Sequence, residues 1–136
     1  MADDVPIVVA GAHLEGQPLN HELTGRGGRL VARTATARCY RLYALETDPP
    51  KPGLVRVGED DGDAAAIEVE VWALAGEAFA SFVDAVPAPL VIGRVVLADG
   101  SDVAGFLCEP IAVRDATDIT AFGGWRAYRA SLGEQP

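Results

Sequence analysis

Val5-Pro6-Ile7-Val8-Val9-Ala10-Gly11-Ala12-His13-Leu14-Glu15-Gly16-Gln17-Pro18-Leu19-Asn20 is the stretch on which the reading of the fold turns. Val5 to Ala10 is apolar on both faces of an extended chain, the pattern of a strand buried in the middle of a sheet. It ends at Gly11, which permits backbone angles that other residues resist. A tight turn follows, then a short helix opening at Pro18, where a missing N–H costs nothing. In such a turn the amides of Ala12, His13 and Leu14 can converge as a nest for an anion. His13, in the same turn, can carry a proton near neutral pH. The residues fit equally a strand, a glycine turn and a solvated surface histidine, and this stretch alone leaves both readings open.

The remaining 120 or so residues set the frame. A chain of 136 residues fits one domain, 1–136, long enough to bury about two-thirds of its unfolded surface. The net charge of −9 argues against nucleic acid and against anionic membrane as partners. A site for an anion must then be built locally, against the overall field. Cys39 and Cys108 show no CxxC or metal-ligand spacing and read as reduced core thiols. Met1-Ala2-Asp3-Asp4 is acidic and lacks the basic start of a signal peptide. No apolar run approaches the ~20 residues of a membrane span. The expected setting is the cytoplasm, with no metal and no cofactor.

Beyond the opening stretch, His21 reads as a surface residue of the short helix, which Gly25 to Gly28 ends. Arg29–Thr36 and Cys39–Leu45 read as strands. In the second, Arg41, Tyr43 and Leu45 share a face, and an arginine beside aromatics can hold a carboxylate or simply lie in water. Asp48–Gly53 reads as a rigid proline loop, Leu54–Val57 as a short strand and Gly58–Asp63 as a solvated acidic loop without calcium spacing. Ala66–Leu74 alternates, placing Glu68, Glu70, Trp72 and Leu74 on one mixed face, so that either glutamate can line a cavity beside Trp72 or make a surface salt bridge. Gly76–Val86 is an amphipathic helix whose Phe79, Phe82, Val83 and Val86 are core residues. Leu90–Leu97 and Asp102–Cys108 make a hairpin with Gly93 and Gly105 as bulges, and Ile111–Val113 extends or follows it. Ile119–Leu132 is a last helix, capped by Asp118 or Thr117, with Phe122, Trp125 and Tyr128 or Arg129 turned inward. Gly123-Gly124 would cost it ~1 kcal/mol per glycine, which points to a close approach or a break. The sum is an α+β fold with a curved, mostly antiparallel sheet or small barrel and a few short helices.

These residues also carry a family resemblance. Ala10-Gly11-Ala12-His13-Leu14 stands where the γ-glutamylcyclotransferase-like fold has its Tyr-Gly-Ser-Leu-type turn, and Tyr40-Arg41-Leu42-Tyr43, Pro52-Gly53-Leu54-Val55 and Glu70-Val71-Trp72 follow in that fold's order. The chain resembles still more the C-terminal domain of allophanate hydrolases. That pattern appears in Gly11-Ala12-His13-Leu14, Pro18-Leu19-Asn20, Cys39–Leu45, Pro87-Ala88-Pro89-Leu90, Gly105–Glu109 and Asp118–Tyr128.

The resemblance implies a function and its limits. The catalytic glutamate of cyclotransferases, just after the Leu-Asp of the mid-chain helix, falls here on Pro87, so γ-glutamyl cyclisation is not supported, unless Glu68 or Glu70 supplies the acid. No serine-serine-lysine amidase set is present, so the chain does not hydrolyse allophanate by itself. The family's C-terminal domain is associated with decarboxylating N-carboxycarbamate, the product its amidase domain leaves. That implies a small dicarboxylate-like ligand, with His13 as proton donor and Gly11, Ala12, Leu14, Asn20, Arg41 and Tyr43 around the carboxylates. The other reading is a binding module or accessory subunit of a separately encoded amidase. A homodimer is left open.

Overall fold

The computed structural model describes residues 4–58 and 60–134. Met1 to Asp3, Glu59 of the acidic loop, Gln135 and Pro136 lie outside the described residues. The opening strand, β1 (Val5–Val9), is the middle of a five-stranded sheet. Its order is β2 (Arg29–Ala35), β5 (Glu68–Leu74), β1, β7 (Asp102–Cys108), β6 (Leu90–Val96). β1 runs antiparallel to β5, from Val5 opposite Leu74 to Val9 opposite Glu70, and parallel to β7, where Val8 faces Gly105. Ile7, Val8 and Val9 are at most 1% exposed, and burying each such side chain contributes about 1.5–3 kcal/mol.

A smaller sheet has the order β4 (Lys51–Arg56), β3 (Tyr40–Leu45), β8 (Thr117–Asp118). The two sheets stay open rather than closing into the barrel that the sequence also allowed. Side chains stitch them together. The Tyr40 hydroxyl accepts the Val96 amide across them at 2.9 Å, and on the smaller sheet's own side the Leu42 amide donates to Thr120 Oγ1 at 2.9 Å. Gly53 of β4 sits so close to β7 that a Cβ there would come within 2.7 Å of Cys108 Sγ.

Several boundaries differ from the sequence reading for identifiable reasons. α1 (His21–Thr24) begins past Pro18, because residues 11–20 close successive turns first, with Leu14 N on Gly11 O, Gln17 N on Leu14 O and Leu19 N on Ala12 O. β4 starts at Lys51, inside the expected proline loop. It is an edge strand, where the missing N–H of Pro52 is tolerated. Gly93 and Gly105 are not bulges; they face each other in unbroken register. Gly105 is needed for close packing, since a Cβ would lie 2.9 Å from that of Val8. The register shift lies in β2 instead, between Leu30 and Ala32.

α2 (Gly76–Asp84) buries Phe82 as expected. The expected extension at Ile111–Val113 is a 3-10 turn, Pro110–Val113. The long final helix is broken: a 3-10 turn, Thr120–Phe122, ends at Gly123, whose φ of +76° suits glycine, and α3 (Trp125–Ser131) starts afresh. Asp118 Oδ1 accepts the Thr120 amide at the start of that turn. The break sends Trp125 inward at 2% exposed but leaves Phe122 outside, edge-on to Tyr128, rather than facing the core. No helix among the described residues is long and apolar enough to cross a membrane.

Candidate functional site

His13 follows the central strand and is buried, not solvated. Its ring stacks on Phe106 at 5.0 Å between centroids and meets the edge of Phe82 at 5.2 Å. Its Nε2 lies 2.7 Å from Glu22 Oε1 on α1. Asn20, expected to touch ligand, instead donates from Nδ2 to the His13 carbonyl at 2.8 Å and so fixes the turn. Gly11 does not use a left-handed angle, unlike Gly16 a few residues on, whose φ is +85°. What excludes a side chain there is the ring of Pro52, which a Cβ would enter. The expected nest is also smaller. The Leu14 amide is taken by Gly11 O, and Leu14 itself is core, 0% exposed. The Ala12 and His13 amides have no hydrogen-bond partner among the described residues.

His13 opens onto a cavity of about 230 Å³ walled by Glu22, Lys51, Phe82, Pro87 and Phe106. Lys51 is the unexpected member. It is 8% exposed and has no ion-pair or hydrogen-bond partner among the described residues. No buried side-chain donor or acceptor among the described residues is both sealed and unpartnered, so neither the Lys51 ammonium nor His13 Nδ1 is sealed off, and both residues line the cavity. Asp48 is exposed at its rim. Burial pushes the His13 imidazole below its ordinary range. The bond to Glu22 opposes this, while the charges of Lys51 and His21 add to it. His21 is exposed on α1, as expected.

Two of the expected site residues lie elsewhere. Arg41 cannot grip a ligand beside His13, because three aspartates already occupy its guanidinium. Nε and Nη2 hold Asp61 at 3.0 and 2.8 Å, Nη1 holds Asp118 at 2.7 Å, and Asp63 lies 3.4 Å from Nη2. Hydrogen bonds from Arg41 hold the Asp61 carboxyl below its usual range. Tyr43 sits in the small sheet between Gly53 and Asp118 and is not part of the cavity wall.

Glu70 lines no cavity beside Trp72. It is 0% exposed and accepts the Trp72 indole N–H at 3.1 Å, the Glu15 amide at 2.8 Å and Arg126 Nη2 at 3.0 Å. Glu68 is exposed and pairs with Arg126. Neither glutamate can act as a replacement acid. A concavity of about 260 Å³ beside Trp125 has Arg129 paired with Glu134 and stacked over Trp125.

Sequence reading missed Lys51 and Glu22. Lys51 is hidden in a proline run that reads as loop, and Glu22 is one of several glutamates with helical neighbours. Besides His13, the position of Pro87, where the cyclotransferase acid falls, marked this place in advance, and both line the cavity.

The two open sheets, with a cavity at the turn after the central strand, have the γ-glutamylcyclotransferase-like architecture. An uncharacterised protein from Pyrococcus horikoshii shares it with a TM-score of 0.70 at 20% identity, over 95% of this chain and 96% of that one. Within that fold the chain belongs to the allophanate hydrolase C-terminal domain family, which it matches over residues 5–130. It is similar to the urea amidolyase of Saccharomyces cerevisiae, 39% identical over 128 residues, covering 91% of this chain and 7% of that enzyme. The crystal structure of the Kluyveromyces lactis urea amidolyase aligns with a TM-score of 0.89 and 37% identity, over 96% of this chain and 8% of that one. A uropathogenic Escherichia coli-specific protein, c4763, aligns with a TM-score of 0.84 and 34% identity, over 93% and 96%. The chain thus spans under a tenth of the length of the amidolyases it matches.

Proposed function

We propose that this chain decarboxylates a small N-carboxylated anion of the N-carboxycarbamate type, with His13 as the proton donor. The substrate would be what an amidase leaves after removing ammonia from allophanate, in urea-type nitrogen metabolism in the cytoplasm. Support for that context comes from the family and from the urea amidolyases it resembles. One observation carries the chemistry: the His13–Glu22 pair at 2.7 Å opens onto a small cavity that also holds an unpartnered lysine.

The step balances simply. The C–N bond of the dianion breaks, its electron pair goes to nitrogen, and carbon dioxide leaves. Nitrogen takes the proton from imidazolium Nδ1, giving carbamate, and solvent reprotonates His13. Glu22 stabilises the imidazolium through Nε2. Phe82 and Phe106 keep the ring in place and limit water around it. On this reading an amidase supplies the substrate.

A second reading is favoured by one feature. Burial holds the proton affinity of His13 below its ordinary range, which suits a module that binds the product without turning it over. One experiment separates them. An isolated amidase domain generates N-carboxycarbamate from labelled allophanate, and carbon dioxide release is followed with and without this chain. Accelerated release, lost in His13→Asn, is expected. Release at the background rate with wild-type chain would leave only the binding module.

A further inference from the structure

We propose that Lys51 holds the carboxylate of the ligand in the His13 cavity. The inference rests on this cavity being the ligand site, and not on what becomes of the ligand there. A largely buried lysine that lines a cavity and meets no carboxylate of its own protein leaves its charge free for an anionic ligand. Arg41, Arg94 and Arg126 all have carboxylates at ion-pair distance, and Arg129 has Glu134. Lys51 is more buried than any of these and has none among the described residues.

The nearby acids do not fill the gap. Glu22 is engaged by His13, and Asp48 stands exposed at the rim. Placement is also fixed rather than floppy. Lys51 opens β4 opposite Leu45, and the next residue, Pro52, is wedged against Gly11 at the start of the His13 turn. A rigid contact therefore fixes where the Lys51 side chain starts relative to the His13 turn. The cavity, about 230 Å³, is below the usual range for drug-sized ligands. Together these features select a compact carboxylate, of malonate size, over a long-chain or aromatic acid.

The test is calorimetric titration of the full chain with malonate, with neutral malonamide as control. Lys51→Met keeps the length and apolar stem of the side chain, and Lys51→Arg keeps the charge. Thermal melts check that both fold. The expected result is saturable malonate binding to wild type, weakened about tenfold or more in Lys51→Met and largely kept in Lys51→Arg, with no binding of malonamide. In the folded, ligand-free Lys51→Met variant the His13 ring should also titrate at higher pH, because a neighbouring positive charge has gone.

Malonate binding unchanged in Lys51→Met, or absent in wild type, would overturn the assignment. Lys51-dependent malonate binding without any acceleration of carbon dioxide release would retain it and remove the decarboxylase reading. Acceleration that survives Lys51→Met with malonate affinity intact would do the reverse.

Discussion

Gly11 and Pro52 touch so closely that a methyl group on the first would enter the ring of the second. The proline ring is part of the β4 backbone and cannot rotate away. Gly11→Ala should therefore destabilise the fold by about 1–3 kcal/mol, the usual cost of overpacking. It should also weaken malonate binding, because it pushes the His13 turn away from Lys51. Chemical denaturation and calorimetry on one preparation check both. A stable Gly11→Ala variant with normal affinity would show that the contact does not set the site.

The pH dependence of stability has a sign fixed by His13. Its folded-state proton affinity is depressed by burial, so the unfolded chain binds the proton more readily. Stability should fall as pH drops below the ordinary histidine value of 6.5 and stop falling below the depressed folded value. His13→Asn should flatten that window. Denaturant midpoints measured across it decide the matter, and an identical slope in the variant would assign the effect elsewhere.

A carboxylate arriving beside His13 should pull its proton affinity back up. Malonate binding should then take up a proton and strengthen as pH falls through the histidine range. Titrations in two buffers of different ionisation enthalpy measure the uptake directly. Equal heats in both would mean that His13 does not change state on binding.

Arg41→Met separates the two roles considered for this residue. It strips Asp61 and Asp118 of their partner, so the melting temperature should drop. Malonate affinity should stay within about twofold, since the residues share no contact with the cavity. A large loss of affinity at full stability would instead restore Arg41 to the binding site.

Glu70 and Arg126 hold the residue two places after His13 from both sides. The Glu15 amide donates to Glu70, and the Glu15 carbonyl accepts from Arg126 at 2.7 Å. Burial pushes the Glu70 carboxyl up, but the donors from Glu15, Trp72 and Arg126 outweigh it and hold it below the usual range. That contribution is present above the ordinary value of 4.5 and is lost as pH falls through the lowered one. Glu70→Ala leaves the Glu15 amide and the Trp72 indole N–H without an acceptor and takes one of three partners from the half-buried Arg126, at a cost of about 1–3 kcal/mol. Glu70→Gln should be milder, and it should shift the His13 ring resonances if the brace reaches the turn. Unmoved resonances would confine Glu70 to the fold.

Most of the architecture was legible because it is written in short-range pattern. The two-sided apolar run Val5 to Ala10 marked the central strand, and the hairpin around Gly100 and the helix bearing Phe82 announced themselves by period. Several of the misplaced boundaries follow from long-range contacts. Gly105 is a packing glycine because Val8 lies beside it, and Pro52 is in a strand because that strand is an edge. The site followed the same rule. His13 stood out from its own neighbours, whereas Lys51 became visible only once β4 was laid against the His13 turn. Arg41 looked free because Asp61 and Asp118 are distant in sequence and adjacent in space.

The central place of β1 has a consequence for how the molecule comes into being. In synthesis this strand is made before either of its neighbours, Glu68–Leu74 and Asp102–Cys108. Until they arrive, the most water-averse segment of the protein has both edges bare, the condition in which nascent chains join the wrong partner. The His13 cavity, walled by residues from His13 to Phe106, cannot form early either. A ribosome-bound fragment ending before Phe106 should bind no malonate, so the ability to bind reports that β1 has found its place.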